Sequence, residues 1–143
     1  MIFDRLTGVG KEVGIDFKFG GRTGNTRDSH RLIQLGKRKG AETQNRVVEE
    51  CFRSYFEREG DITSHDTLRD AGVGAGLEEG EVKAWLASDK GGPEVDREVE
   101  EAQDRGVSGV PNFVLQGKYE IGGAQDPEAF VGLFERVKQM EGA

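Results

Sequence analysis

The chain has 143 residues with 20 basic and 27 acidic side chains, a net charge of -7 and an apolar share of 34%. That length fits one domain with a real core, and the negative balance argues against a nucleic-acid partner, which would need a basic surface. A single cysteine, Cys51, excludes an internal disulfide, and with only His30 and His65 beside it no metal-ligand spacing arises.

Ile2, Leu6, Val9 and Val13 fall at helical spacing, so the chain opens inside a helix with no capping signal ahead of it. Residues are therefore expected to be missing upstream. Ile15-Asp16-Phe17-Lys18-Phe19 alternates apolar and polar, which predicts a short strand or extended segment ended by Gly20-Gly21. Asn25 or Thr26 can cap a helix carrying His30, Leu32, Ile33 and Leu35, with Gly36 or Gly40 as its stop. The basic run Lys37-Arg38-Lys39 falls where cations offset a helix dipole.

From Thr43, the positions Val47, Val48, Cys51, Phe52, Tyr55 and Phe56 form one stripe that predicts an amphipathic helix ending at Gly60. Cys51 then lies mid-helix on an apolar face, away from any helix N-terminus that would activate it. Thr63 or Ser64 caps a helix with Leu68 and Ala71, and Leu77, Val82, Trp85 and Leu86 mark the next. Pro93 opens a helix with Val95, Val99 and Ala102 inward and Gly106 as its stop. Ser64-His65-Asp66 spells three catalytic residue types, but adjacent backbone positions cannot converge as nucleophile, base and orienter.

Pro111, between Gly109-Val110 and Asn112, must mark an edge, a first strand position or a cis turn. Phe113-Val114-Leu115 and Tyr119-Glu120-Ile121 predict a hairpin around Gln116-Gly117-Lys118. Asp126-Pro127-Glu128 then opens a last helix with Phe130, Leu133, Phe134 and Val137 inward. No apolar run is long enough to cross a membrane, and the first residues lack signal-peptide order. A cytoplasmic protein with no membrane partner is expected.

Four stretches in this order, Gly24-Asn25-Thr26-Arg27-Asp28-Ser29-His30-Arg31-Leu32, Gln44-Asn45-Arg46-Val47-Val48-Glu49, Tyr55-Phe56, and Gly109-Val110-Pro111 through Gly122-Gly123-Ala124-Gln125-Asp126-Pro127, resemble the FrnE-like branch of the DsbA-type thioredoxin-fold oxidoreductases. The resemblance implies an α/β fold, an incomplete thioredoxin-like (DsbA-like) domain over 1–143 that lacks the first βαβ. Residues 25–106 would be a helical insertion and 107–143 the C-terminal ββα part.

It further implies a thiol-disulfide oxidoreductase in which two cysteines of a Cys-Pro-Trp-Cys turn exchange with substrate. This sequence has no C-x-x-C, so no catalytic residue is assigned and the chain as given is expected to be inactive. By the resemblance, Val110 and a cis Pro111 face a bound peptide or glutathione. Gln125 and Asp126 match the segment that touches the γ-glutamyl end of glutathione in related enzymes, although Asp126 is also a plain helix cap. The partners implied are a protein thiol or disulfide, or glutathione as a possible cofactor; no metal is implied. Two alternatives stand beside this one: a non-catalytic product that forms a homodimer through a sheet edge at Phe113 to Leu115, and a glutathione-dependent isomerase or transferase of the same superfamily.

Overall fold

The computed structural model describes residues 2–142. Among them run the helices α1 (Ile2–Glu12), α2 (Arg27–Arg38), α3 (Ala41–Phe52), α4 (His65–Gly74), α5 (Glu79–Leu86), α6 (Gly92–Asp104) and α7 (Pro127–Met140), with strands β1 (Asn112–Leu115) and β2 (Tyr119–Gly122) between α6 and α7. The described residues are thus mostly helical with one small antiparallel sheet, which is consistent with the α/β fold with a helical insertion expected from the sequence. The chain divides into two compact units, one ending at Arg97 and one beginning at Glu98, with the boundary inside α6.

The core of the first unit is built where α2 to α5 meet. Leu32, Leu35, Val47, Leu68 and Val82 are fully buried, and Trp85, Leu86 and Cys51 close the cluster. Each such side chain contributes about 1.5–3 kcal/mol on leaving water. These positions recur at three- and four-residue steps, which is why the sequence pattern locates the helices.

A charged side chain also stands inside this core. Arg31 donates to the carbonyl oxygens of Trp85 at 2.8 Å, Lys90 at 3.0 Å and Ser88, and to the Asp28 carboxylate at 2.8 Å. In return, the Trp85 indole N–H donates to the Arg31 carbonyl at 2.9 Å. The guanidinium thereby supplies donors to the Ser88 and Lys90 carbonyls of the turn after α5 and shares the Trp85 carbonyl with Ser88, and it ties α2 to a turn more than fifty residues away. Gly91 makes room for this joint: its φ is +77°, and a Cβ there would sit 2.7 Å from the Trp85 ring.

The stripe on α3 is not buried along its whole length. Val47 and Cys51 are buried, whereas Phe52 and Phe56 are exposed. Phe52 is the last residue of α3, and Phe56 lies within a π-helical turn over Arg53–Glu57 that follows it, where the wider pitch departs from the 3.6-residue stripe. The alternating segment Ile15–Phe19 forms no strand; Lys18 N–H donates to the Phe56 carbonyl at 2.7 Å, and the Phe17 ring meets the edge of Phe56 at 5.8 Å. The apolar stripe of α1 is likewise uncovered, with Ile2, Leu6, Val9 and Val13 all exposed. Val99 points to solvent as well, so α6 buries only the start of its predicted inner face, at Val95.

The basic run closes α2. Arg38 pairs with Glu94 at 3.0 Å and lies 4.8 Å over the Trp85 ring, and Lys39 pairs with Glu81 at 2.8 Å. These partners are acidic side chains of the same unit.

In the second unit, β1 and β2 pair with Phe113 opposite Ile121 and Leu115 opposite Tyr119. The turn places both Gln116 and Gly117 at positive φ, the sense that suits the right-handed twist of a hairpin. Phe113 meets Phe130 of α7 edge to face at 4.9 Å, and Leu133 and Val137 are buried. Phe134 is exposed, so the predicted inner stripe of α7 is only partly covered. No described helix is long and apolar enough to cross a membrane.

Candidate functional site

The loop between α6 and β1 is shaped by the end of the helix. Gly106 takes φ +73°, Gly106 N–H bonds to the Gln103 carbonyl, and Val107 N–H to the Ala102 carbonyl. This is a Schellman-type stop, which only a residue free of Cβ penalty adopts cheaply. The chain then turns outward through Ser108 and Gly109 to Val110, whose side chain is 89% exposed.

The Val110–Pro111 peptide bond is cis. Beyond it the Pro111 carbonyl accepts from Gly123 N–H at 2.7 Å, which locks the strand entry to the far end of β2. A cleft of about 310 Å³ opens here, with Ser108, Gly109 and Val110 on one side and Glu120, Gly122 and Gly123 on the other.

Of the residues the sequence singles out, Val110 lines this cleft. Gln125 borders it: its side-chain amide donates to the Gly122 carbonyl at 3.1 Å. Asp126 is the N-cap residue of α7 and uses its backbone carbonyl to accept from Ala129 N–H; its carboxylate makes no capping bond. Among the described residues, the N–H and C=O of Val110 enter no backbone hydrogen bond. An exposed main-chain pair beside an edge strand is the chemistry by which an extended peptide adds to a sheet.

Cys51 belongs to the other unit. It lines an apolar cavity of about 310 Å³ between α2 and α3, with His30, Ile33, Tyr55, Phe56 and Ile62. Burial, reinforced by the nearby Glu50 charge, pushes its thiol up to about 11. At neutral pH it is therefore a thiol and not a nucleophilic thiolate.

The sequence alone gives this cavity away only indirectly. Three bulky aromatic residues, Phe52, Tyr55 and Phe56, exceed what one helix contact can bury, and their rings meet edge to face, Phe56 lying 5.9 Å from Phe52 and 4.9 Å from Tyr55. His30 is exposed at its wall. The other histidine, His65, bonds through Nε2 to Asp28 at 2.8 Å, while Asp66 pairs with Arg69 at 2.7 Å. Ser64-His65-Asp66 thus shares no common focus. Burial raises the Asp28 carboxyl, but hydrogen bonds from Arg31 and His65 outweigh that and hold it below the ordinary range. Among the described residues, no group of three or more His, Cys, Asp or Glu side chains could hold a metal ion.

Residues 1–135 match the sequence model of the DSBA-like thioredoxin domain. The match covers almost the entire chain, and the chain belongs to that family. No curated protein matched it.

Proposed function

We propose that this chain carries the substrate-facing side of a FrnE-like thiol–disulfide oxidoreductase and, as given, has no exchange activity of its own. The observation that carries this is the division of parts. The cis Val110–Pro111 entry, with its unpaired main chain and open cleft, lies in one unit, and the only thiol is buried and protonated in the other. In exchange, a thiolate attacks one sulfur of a disulfide and expels the other as a thiolate. Cys51 offers no accessible thiolate for that step.

The role left to the chain is to hold an extended thiol- or disulfide-bearing peptide along β1, through the main chain of Val110. The shared chemistry admits glutathione as well. Its γ-glutamyl ammonium suits the uncommitted Asp126 carboxylate beside Gln125.

Two measurements test this. In an insulin-reduction assay with dithiothreitol the chain gives the uncatalysed rate; any rate above that control refutes the inactive assignment. In an amide NMR titration with a cysteine-containing peptide and, separately, with glutathione, shifts gather at Gly109–Asn112 and Gly122–Asp126. Shifts elsewhere, or none with either ligand, refute the binding role. Reading the coding DNA ahead of Met1 for a strand followed by Cys-x-x-Cys tests the source of the nucleophile.

A second reading makes the chain a non-catalytic product that pairs with a second copy through β1. It is favoured by β1 being bonded on one edge only, with Phe113 and Val114 exposed. A compact monomer at micromolar concentration would sink it.

A further inference from the structure

The uncovered face of α1 has a property that its residues share only as a set. Ile2, Leu6, Val9 and Val13 are separated by four, three and four residues, so their spacing reads the same from either end. All four are exposed, Ile2 and Val13 by 68% and 69%. They continue into the exposed rings of Phe3, Phe19 and Phe52. Phe3 lies 4.7 Å from Phe19, and a groove lined by Leu6, Phe17, Phe19 and Phe52 joins the helix to the π turn.

We infer that this face is a self-complementary interface, on which a second copy of the chain docks with its α1 antiparallel. A twofold axis passing between Thr7 and Gly8 sets Ile2 of one copy against Val13 of the other, and Leu6 against Val9. That is the isologous pattern of a cyclic dimer. Those seven exposed side chains present roughly 700–800 Å² per copy, close to the ~800 Å² per partner of a standard interface. Exposed apolar patches of this size are rare on monomers.

Charge agrees with the same axis. Arg5 and Glu12 stand seven residues apart, hence on one flank of the helix, and neither forms an ion pair among the described residues. In the antiparallel arrangement equal flanks face each other, so Arg5 of each copy meets Glu12 of the other. The aromatic groove beside α1 extends the apolar contact at the centre, and the two symmetric ion pairs form its rim. This inference is independent of whether the chain meets a thiol substrate.

Sedimentation equilibrium on the full chain tests it, with circular dichroism as the folding control. The wild type sediments as a dimer at tens of micromolar. Leu6→Asp makes it monomeric with its helix content unchanged. Arg5→Glu raises the dissociation constant about tenfold, and Arg5→Glu with Glu12→Arg brings it back near the wild type. The charge-swap pair lies on the solvent flank, so it decides the matter even where Leu6→Asp disturbs folding. A wild type that stays monomeric overturns the inference. So does a double variant no tighter than Arg5→Glu, or a dimer broken by Val114→Lys and indifferent to Leu6→Asp, which would locate the contact at β1.

Discussion

Replacing Arg31 by Met tests whether one buried guanidinium holds the first unit together. Its side chain is only 4% exposed, so solvent cannot take over its bonds. Met fills a similar volume but supplies no donor. The Trp85 carbonyl keeps the Ser88 hydroxyl at 2.8 Å, whereas the Ser88 and Lys90 carbonyls lose the guanidinium. Each carbonyl left without a partner costs about 1–3 kcal/mol, and Asp28 loses its closest cation. The expected loss is about 3–5 kcal/mol, a large part of the ~5–15 kcal/mol that stabilises a typical domain. Arg31→Lys keeps the charge, but a single ammonium cannot reach four spread acceptors, so about half the loss remains. Urea denaturation followed by the fluorescence of Trp85, the only tryptophan, reads the change at the joint itself. The midpoint falls at constant slope. A loss under about 1 kcal/mol for Arg31→Met would refute the reasoning, because it would mean that these carbonyls find other donors at little cost.

Four further outcomes follow from the structure. With its thiol raised from 9.0 to about 11, Cys51 reacts with a disulfide reagent about a hundredfold slower than an ordinary cysteine at pH 8; stopped-flow absorbance checks this, and a free-thiol rate in the folded state contradicts it. The same shift makes the folded form hold its proton more tightly, so this contribution is complete below pH 9 and is lost as pH rises towards 11; a Cys51→Val variant loses less stability over that window. Asp28 acts in the opposite direction, since its lowered carboxyl stabilises the fold above its unfolded value of 3.8 and loses that effect as pH falls below it; Asp28→Asn removes this acid sensitivity from the urea midpoint. Gly91→Ala destabilises by more than about 2 kcal/mol through the Trp85 clash, whereas Gly117→Ala, at φ +67° with open space around it, costs about 1 kcal/mol; equal effects at both positions, read by thermal melting, would remove the steric argument.

Much of the helical architecture is legible in the sequence because burial and period coincide. Leu32, Leu35, Leu68, Val82 and Trp85 stand where three- and four-residue steps put them, and Pro127 stands at the first turn of α7. What the pattern misses is non-local or a matter of pitch. Nothing near Arg31 signals that three carbonyls from the end of α5 and the turn beyond it converge on it. Glu78 caps α5 by accepting from Gly80 and Glu81 N–H, although glutamate is not among the usual capping residues. The π turn at Arg53–Glu57 is invisible to a period of 3.6, so the pattern reads one regular helix through residues where the chain has changed pitch. For the candidate site, the sequence points to Val110, Pro111, Gln125 and Asp126. It does not show that Gly122 and Gly123 complete the cleft, because they join only when β2 folds back on β1.

The thin core of the second unit bears on how its cleft behaves in time. Among its described residues only Leu133 and Val137 are buried, and a two-stranded hairpin is marginal in water without wider cover. Its amides at Asn112 to Gly122 therefore open and exchange with solvent far more often than those of α2 and α5, which local unfolding of the first unit must release. Any molecule that settles along β1 spends part of its binding energy on quieting that motion, which favours short-lived, adaptable encounters over tight ones.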